Sequence, residues 1–304
     1  MTKIGHADVD GLESATRTLR VLDYEHGGGA CVDAVLARLS TARPMVRQPA
    51  SEDVRTRLHA ALADLHNLAG WILFDLGRAE VARRHFDEAL DLARAADNSS
   101  LAANIHYRIG RVFLHHNAFT DALREFDAGG QDAAGSELDL AIVDVNRAWT
   151  HAKMGGSDAA VRLLSRAHHN FTEADPEQVP DWARFFTEND LTAMTGAVHA
   201  SLAETGDVSH LDDAVPALTT AVDGYDEHMA RSRVLSLIEL SVATLLSGDL
   251  DHGADLGTAA VRSAVPIKSA RTVDRMRPLH EVALRHPNHD GARELAARIA
   301  AFQA

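Results

Sequence analysis

One spacing recurs in this chain and limits what it can fold into. A glycine is followed by alanine 12 residues on and by phenylalanine four later, at Gly70, Ala82, Phe86 and again at Gly110, Ala122, Phe126. The surrounding phrases, LHNLAGWILFDLG (65–77) and IHYRIGRVFLHHN (105–117), match in kind as well. Two antiparallel helices that approach closely need a small residue at each crossing. Gly70 and Ala82 supply that gap, and Phe86 fills the space beside it. The first copy adds Gly77 at the turn and Ala89 three after its Phe. A third copy has Ala148 in the glycine slot, then Gly155, Ala160, Leu164 and Ala167. A fourth runs from Gly196 through Ala214, Leu218 and Ala221 with a longer turn, and a fifth centres on Gly248 with Gly253, Gly257 and Ala260 in small positions. Each helix pair leaves one apolar face uncovered for the next pair to cover, so the units are expected to stack.

Composition agrees with helices. Apolar residues make up 46% of 304 residues but aromatics only 5%, with 8 prolines, a mixture that favours helix over strand. In GRAEVARRHFDEALDLARAAD (77–97) the positions Ala79, Ala82, Phe86, Ala89, Leu90 and Ala93 recur at helical spacing. The net charge of −14, from 44 acids against 30 bases, repels phosphate backbones and argues against direct nucleic-acid binding by this chain. Cys31, the single cysteine, cannot form an internal disulfide and reads as a buried small apolar side chain. The first residues are polar and no run of 18 apolar residues exists, so neither a signal peptide nor a membrane span is expected, and a cytoplasmic protein is the plain reading.

The small-residue pattern resembles the tetratricopeptide repeat. The resemblance implies an all-α fold: a right-handed superhelix of antiparallel helix pairs, the leading helix of each pair lining the concave face. His66 and His106 stand where that family usually has Trp, and the copies are 40 and 38 residues apart rather than about 34. Three regions follow: an N-terminal helical cap over 1–50, broken at Gly27-Gly28-Gly29; about five repeats over 51–268; and capping helices over 269–304 with HPNHDG (286–291) as their turn. Ser51 and Asn98 are plausible N-caps. Long loops are expected at TARPMVRQPAS (41–51), where Pro44 and Pro49 discourage helix, and at ADPEQVPDW (174–182).

A second resemblance rests on longer phrases. DYEHGGGACVDAVLARL, RTRLHAALADLHNLAGWILFDLG, YRIGRVFLHH and DWARFF look like the C-terminal repeat half of actinomycete helix-turn-helix (Xre-type) transcriptional regulators. That half is thought to sense a signal, and a DNA-binding domain precedes it. Here the pattern begins at IGHADV, which implies a sensor without its reader or a relative with another job.

If the leading helices line a concave groove, inward positions are Asp64, Asn67, Trp71 and Asp75, then Asn104, Arg108, Arg111 and His115, then Asn146, Trp149 and Lys153. Asn presents a donor and an acceptor to an extended backbone, Arg suits carboxylate or phosphate, and Trp offers a flat anchor. The expected contacts are His66, Asn67, Trp71, Asn104, Arg108, Arg111, His115, Asn146 and Trp149, holding a peptide, small metabolite or partner protein without a cofactor. The bland alternative is that the tryptophans pack between repeats and the polar residues face water.

Histidine is the other oddity, at 18 residues. His59, His66 and His106 could hold a transition metal and support a metal-dependent enzyme on the same scaffold, although no HExxH occurs. Ser40, Ser51 and Ser165 sit in no nucleophile elbow, and the triple glycine lacks the strand and Lys-Ser/Thr of a phosphate loop. Glu188 and Asp190 are paired carboxylates that read equally as acid–base groups or as a solvated first turn. VLSLIEL (234–240) is either core or a patch for self-association into a homodimer.

Overall fold

In the computed structural model, which describes residues 3–267 and 269–303, every regular element is helical and no strand occurs among those residues. Fourteen α-helices follow in order: α1 (His6–His26), α2 (Val32–Ala42), α3 (Glu52–Asp75), α4 (Ala79–Ala95), α5 (Ser99–His115), α6 (Phe119–Asp132), α7 (Glu137–Lys153), α8 (Ser157–Glu173), α9 (Glu188–Glu204), α10 (Leu211–Gly224), α11 (Ala230–Leu246), α12 (Leu250–Ala264), α13 (Ala270–Leu284) and α14 (Asp290–Gln303). The all-α, tetratricopeptide-like architecture of adjacent helix pairs is therefore present. No described helix is long and apolar enough to cross a membrane.

The expected loops carry short 3-10 turns at Arg43–Arg47 and Pro176–Gln178. Ser51 does precede α3, though its side chain makes no cap bond, whereas the Asn98 side chain accepts from Leu101 N at 2.9 Å. Cys31 is buried.

The small-residue pattern is a steric lock. A Cβ on Gly70 would lie 2.7 Å from the Phe86 ring, and one on Gly110 closer still to Phe126. Both rings are fully buried. Gly196 plays the same part against Leu218, at 2.5 Å. The α11–α12 pair solves the crossing differently. Ser241 holds the helix-A slot and donates to Gly253 O at 2.7 Å. Gly257 stands where a phenylalanine would be, and Leu295 of α14 fills the space, 2.5 Å from where a Cβ would sit.

The turns inside the pairs share one device. Gly77, Gly155 and Gly248 have φ of 75°, 76° and 94°, and Asn117 holds the same slot in the second copy with φ 58°. Asn is the side-chain-bearing residue that best tolerates this left-handed region. The next amide then reaches back around the helix end, Arg78 N to Leu73 O at 2.8 Å and Ala118 N to Phe113 O at 2.9 Å.

The chain forms two compact units, divided within α7: residues 1–143 with 172–184, and residues 144–171 with 185–304. In the first, α3 packs on α4, α5 on α6, α4 on α5, and α1 and α2 lie on α3. Its cores run from Ile4, Leu12 and Val35 to Leu65 and Ile72, and from Phe74 and Phe86 to Ile105 and Ile109. In the second, α9 pairs with α10, α11 with α12, α13 packs on α11, and α14 on α12 and α13. The VLSLIEL stretch supplies Val234, Leu237, Ile238 and Leu240 to that core, which settles it as packing. The later part of α7 is tied to α8 through buried Asp144, which Arg166 grips through both carboxylate oxygens and Asn170 reaches at 3.2 Å.

Candidate functional site

Most of the inward stripe of the first unit does not face water. Residues 61–75 of α3 and 101–110 of α5 are buried without a break. Of the nine expected contacts, His66, Asn67, Trp71, Asn104, Arg108, Asn146 and Trp149 are buried, and only Arg111 and His115 are half-buried.

What covers the stripe is the chain itself. The Asn67 Nδ2 donates to Asn104 Oδ1 at 3.0 Å, and Asn104 Nδ2 points on to the backbone carbonyl of Trp182 at a long 3.5 Å. Trp182 packs against the α3–α5 core and donates its indole N–H to Ser100 Oγ at 3.3 Å. Asp181 accepts from Arg17 Nη1 at 3.0 Å. The segment 172–184 thus lies on α5 and α1, held by an asparagine through its main chain, an aromatic anchor and an ion pair.

Beneath it sits a charged layer. Arg108 Nη1 donates to Asn67 O at 3.0 Å, and its guanidinium lies 5.3 Å from the Trp71 ring centroid. Trp71 in turn stacks near Tyr107. Arg20 of α1 pairs with Asp64 of α3, both buried. Burial pulls the Arg108 pKa down, with the nearby Arg20 charge acting the same way, whereas the Asp64 charge holds Arg20 up against its own burial. Arg20 Nε and Nη1 and Asn67 Oδ1 meet no hydrogen-bond partner among the described residues, an expensive state for buried polar atoms.

The second unit treats its leading helices otherwise. Trp149 of α7 is buried and donates to Ser201 Oγ of α9 at 3.0 Å. Two cations cover its ring, Arg275 of α13 at 4.5 Å and Lys153 at 5.3 Å. Arg275 also donates to Glu239 of α11 at 3.0 Å. Glu204 of α9 has an exposed side chain, yet the surrounding protein pushes its carboxyl pKa up and the Glu239 charge adds to this. The cluster is a largely buried set of two cations and Glu239 over a sealed tryptophan, with Glu204 at its exposed edge.

The structure does not bring His59, His66 and His106 together as one ligand set. His66 lies against the His85 ring, 5.2 Å between centroids, with Arg43 at 3.4 Å. His106 Nδ1 bonds Glu125 at 2.8 Å, with Asp132 at 3.6 Å from Nε2. His115 makes an edge contact with Phe74. Asp190 is a capping residue: it accepts from Thr187 N and Oγ1 and from Tyr225 Oη at 2.8 Å. Asn146 lies in α7 with its carbonyl accepting from Thr150 Oγ1 at 2.8 Å.

Sequence reasoning missed Arg20, Trp182, Ser100, Glu204, Glu239 and Arg275. DWARFF (181–186) carries part of the family resemblance, and a Trp two residues after Pro180 in a loop is an anchor signal. Nothing local marks Arg20 or Arg275 as inward.

No family model matches the chain. Among solved structures, a Rap protein complexed with competence and sporulation factor superposes on 97% of this chain and 88% of its own, with a TM-score of 0.57 and 12% identity. BtubC (BKLC) from P. vanneervenii covers 77% of this chain and 89% of its own at a TM-score of 0.47 and 16% identity. Outer dynein arm-docking complex subunit 4 of Danio rerio is 28% identical over 105 residues, 34% of this chain. The match spans 20% of that relative's length. The Rap likeness shows a shared helical-repeat fold.

Proposed function

We propose that this chain is a polypeptide-binding helical-repeat module with a regulatory role, and that in the first unit its own segment 172–184 occupies the binding face. The observation that carries the reading is the Asn67–Asn104 amide pair directed at the main-chain carbonyl of Trp182. A side-chain amide on a leading helix is suited to an extended backbone whatever its side chains. The orphaned Asn67 Oδ1 and Arg20 N–H groups beneath give a replacement guest polar atoms to satisfy. That a Rap protein of the same fold was solved with competence and sporulation factor supports a fold able to hold a second molecule. A partner segment that displaces 172–184 would free Trp182 and Asp181 and so change the exposed surface, which is the switch expected of a sensor.

A labelled peptide of residues 174–187 tests this directly. It should bind in trans to a Trp182→Ala chain, whose own segment is weakened, and more weakly to the unaltered chain. Adding Asn104→Ala should remove the binding. If the peptide binds neither chain, or if Asn104→Ala leaves binding intact, the leading-helix face is not a polypeptide site.

A further inference from the structure

The junction of α9 and α10 gathers three ligand atoms that the binding reading does not use. His199 projects from α9, His210 ends the 3-10 turn Val208–His210, and Asp213 lies in the first turn of α10. The two Nδ1 atoms are 3.0 Å apart, and Asp213 Oδ2 is 3.7 Å from His199 Nδ1. All three ligand atoms lie within 4.8 Å of one another, and no other His, Cys, Asp or Glu group of three does so among the described residues. Two imidazole nitrogens on one tetrahedral zinc ion, each about 2.0–2.1 Å away, would be roughly 3.3 Å apart. The pair therefore needs only a few tenths of an ångström of ring movement.

The outer contacts of His210 are of the kind that orient a ligating histidine. His210 directs Nδ1 at the cluster, while its Nε2 meets Ser157 Oγ at 3.3 Å and Asp207 Oδ2 at 3.7 Å. Such an outer partner fixes the tautomer and aims the ligating nitrogen. Asp207 is itself held, accepting from Ser209 Oγ at 2.6 Å and from Ser209 N. Both imidazoles are largely shielded while the Asp213 side chain is 67% exposed. An ion could enter from the Asp213 side and keep a water there.

We infer that His199, His210 and Asp213 form a binding site for one divalent ion of the zinc class, oriented by Ser157 and Asp207. With one carboxylate, two imidazoles and no thiolate, the donor set suits Zn²⁺, Co²⁺ or Ni²⁺ and discriminates against Ca²⁺ and Mg²⁺, which take oxygen ligands. The ion would tie the end of α9 to the start of α10, closing the longer turn that distinguishes this pair from the first two.

The test uses the full chain without an affinity tag, freed of metal and titrated with CoCl2, then ZnCl2. The expected result is one Co²⁺ per chain with the strong visible absorption of a four-coordinate site, displaced by Zn²⁺, and a thermal midpoint that rises with metal. His199→Ala and His210→Ala should abolish the absorption. Asp207→Asn, which meets the proposed ligands only at His210 Nε2 and keeps an oxygen for Ser209, should weaken affinity roughly 10–100-fold. Retained helical circular dichroism in each variant shows that the fold is intact, and His199→Gln serves if alanine does not fold. Octahedral weak absorption only, no uptake at tens of micromolar, or undiminished uptake by a His199→Ala/His210→Ala chain would overturn the assignment.

Discussion

The two units apply one packing rule and reach opposite surfaces. In the first, the leading helices α3 and α5 are covered, and their amides, Trp71 and Arg108 lie with Arg20 of α1 in a buried layer beneath the chain's own 172–184 segment. In the second, Trp149 is covered by Arg275 and Lys153, the Arg275–Glu239 pair is largely but not fully buried, and only Glu204 stands open to solvent. The knob differs as well: Phe86 and Phe126 come from within their own pairs, whereas the α11–α12 crossing borrows Leu295 from α14. The lesson is that a leading helix does not carry its own accessibility. What the neighbouring segment does decides it.

The largest effects should come from the knobs. Phe126→Ala is expected to cost about 3–5 kcal/mol and Leu295→Ala about 2–5 kcal/mol, read from urea midpoints. The comparison sharpens if the Leu295 change loosens α11–α12 amides in hydrogen exchange while those of α5–α6 stay protected. A Leu295 change confined to α14 would break it.

Next come the ion pairs. Asp64→Asn leaves Arg20 charged and buried, at a cost of about 3–5 kcal/mol. Glu239→Gln removes the partner of Arg275 at a largely but not fully buried pair and should cost less, about 1.5–3 kcal/mol. Equal costs would mean that the two layers are equally wet.

Acid should act on the first unit. Burial, chiefly, with the His85 and Arg43 charges adding to it, lowers the His66 pKa from 6.5 to about 3. The unfolded chain therefore binds a proton that the folded chain refuses between these values. His66 contributes its full stability above about pH 6.5 and loses up to about 1.4 kcal/mol per pH unit as pH falls toward 3. His66→Leu should flatten that part of the slope between pH 6.5 and 4. An unchanged slope would place the acid sensitivity elsewhere.

The smallest effect is at Lys153. Removing its contact with the Trp149 ring by Lys153→Ala should change stability by roughly 0.5–1 kcal/mol, because Arg275 still covers the ring. A loss several times larger would show that the second unit's surface is drier than its exposure suggests.

The sequence made the helices, the turns and the small-to-large lock legible, since Gly70 with Phe86 and Gly110 with Phe126 are spaced by the helical repeat itself. Asn117 could have been read as the second copy's turn residue, because it stands 40 positions after Gly77 and tolerates a positive φ. The site was legible only in part. Asn67, Asn104, Arg108 and Trp71 do share one layer, but as buried partners of one another and of Trp182. Arg20, 44 residues before Asp64, and His199 with His210 on either side of a turn gave no local signal.

By itself the sequence determined which residues turn into helices and which pairs can close, because both depend on spacing along a few turns and on side-chain volume. Only the tertiary structure decided which polar stripes stay wet. A helix with amides and arginines on one face satisfies the same periodicity whether that face meets water or another piece of chain. The choice depends on whether a distant segment such as 172–184 supplies enough contact to offset the loss of hydration.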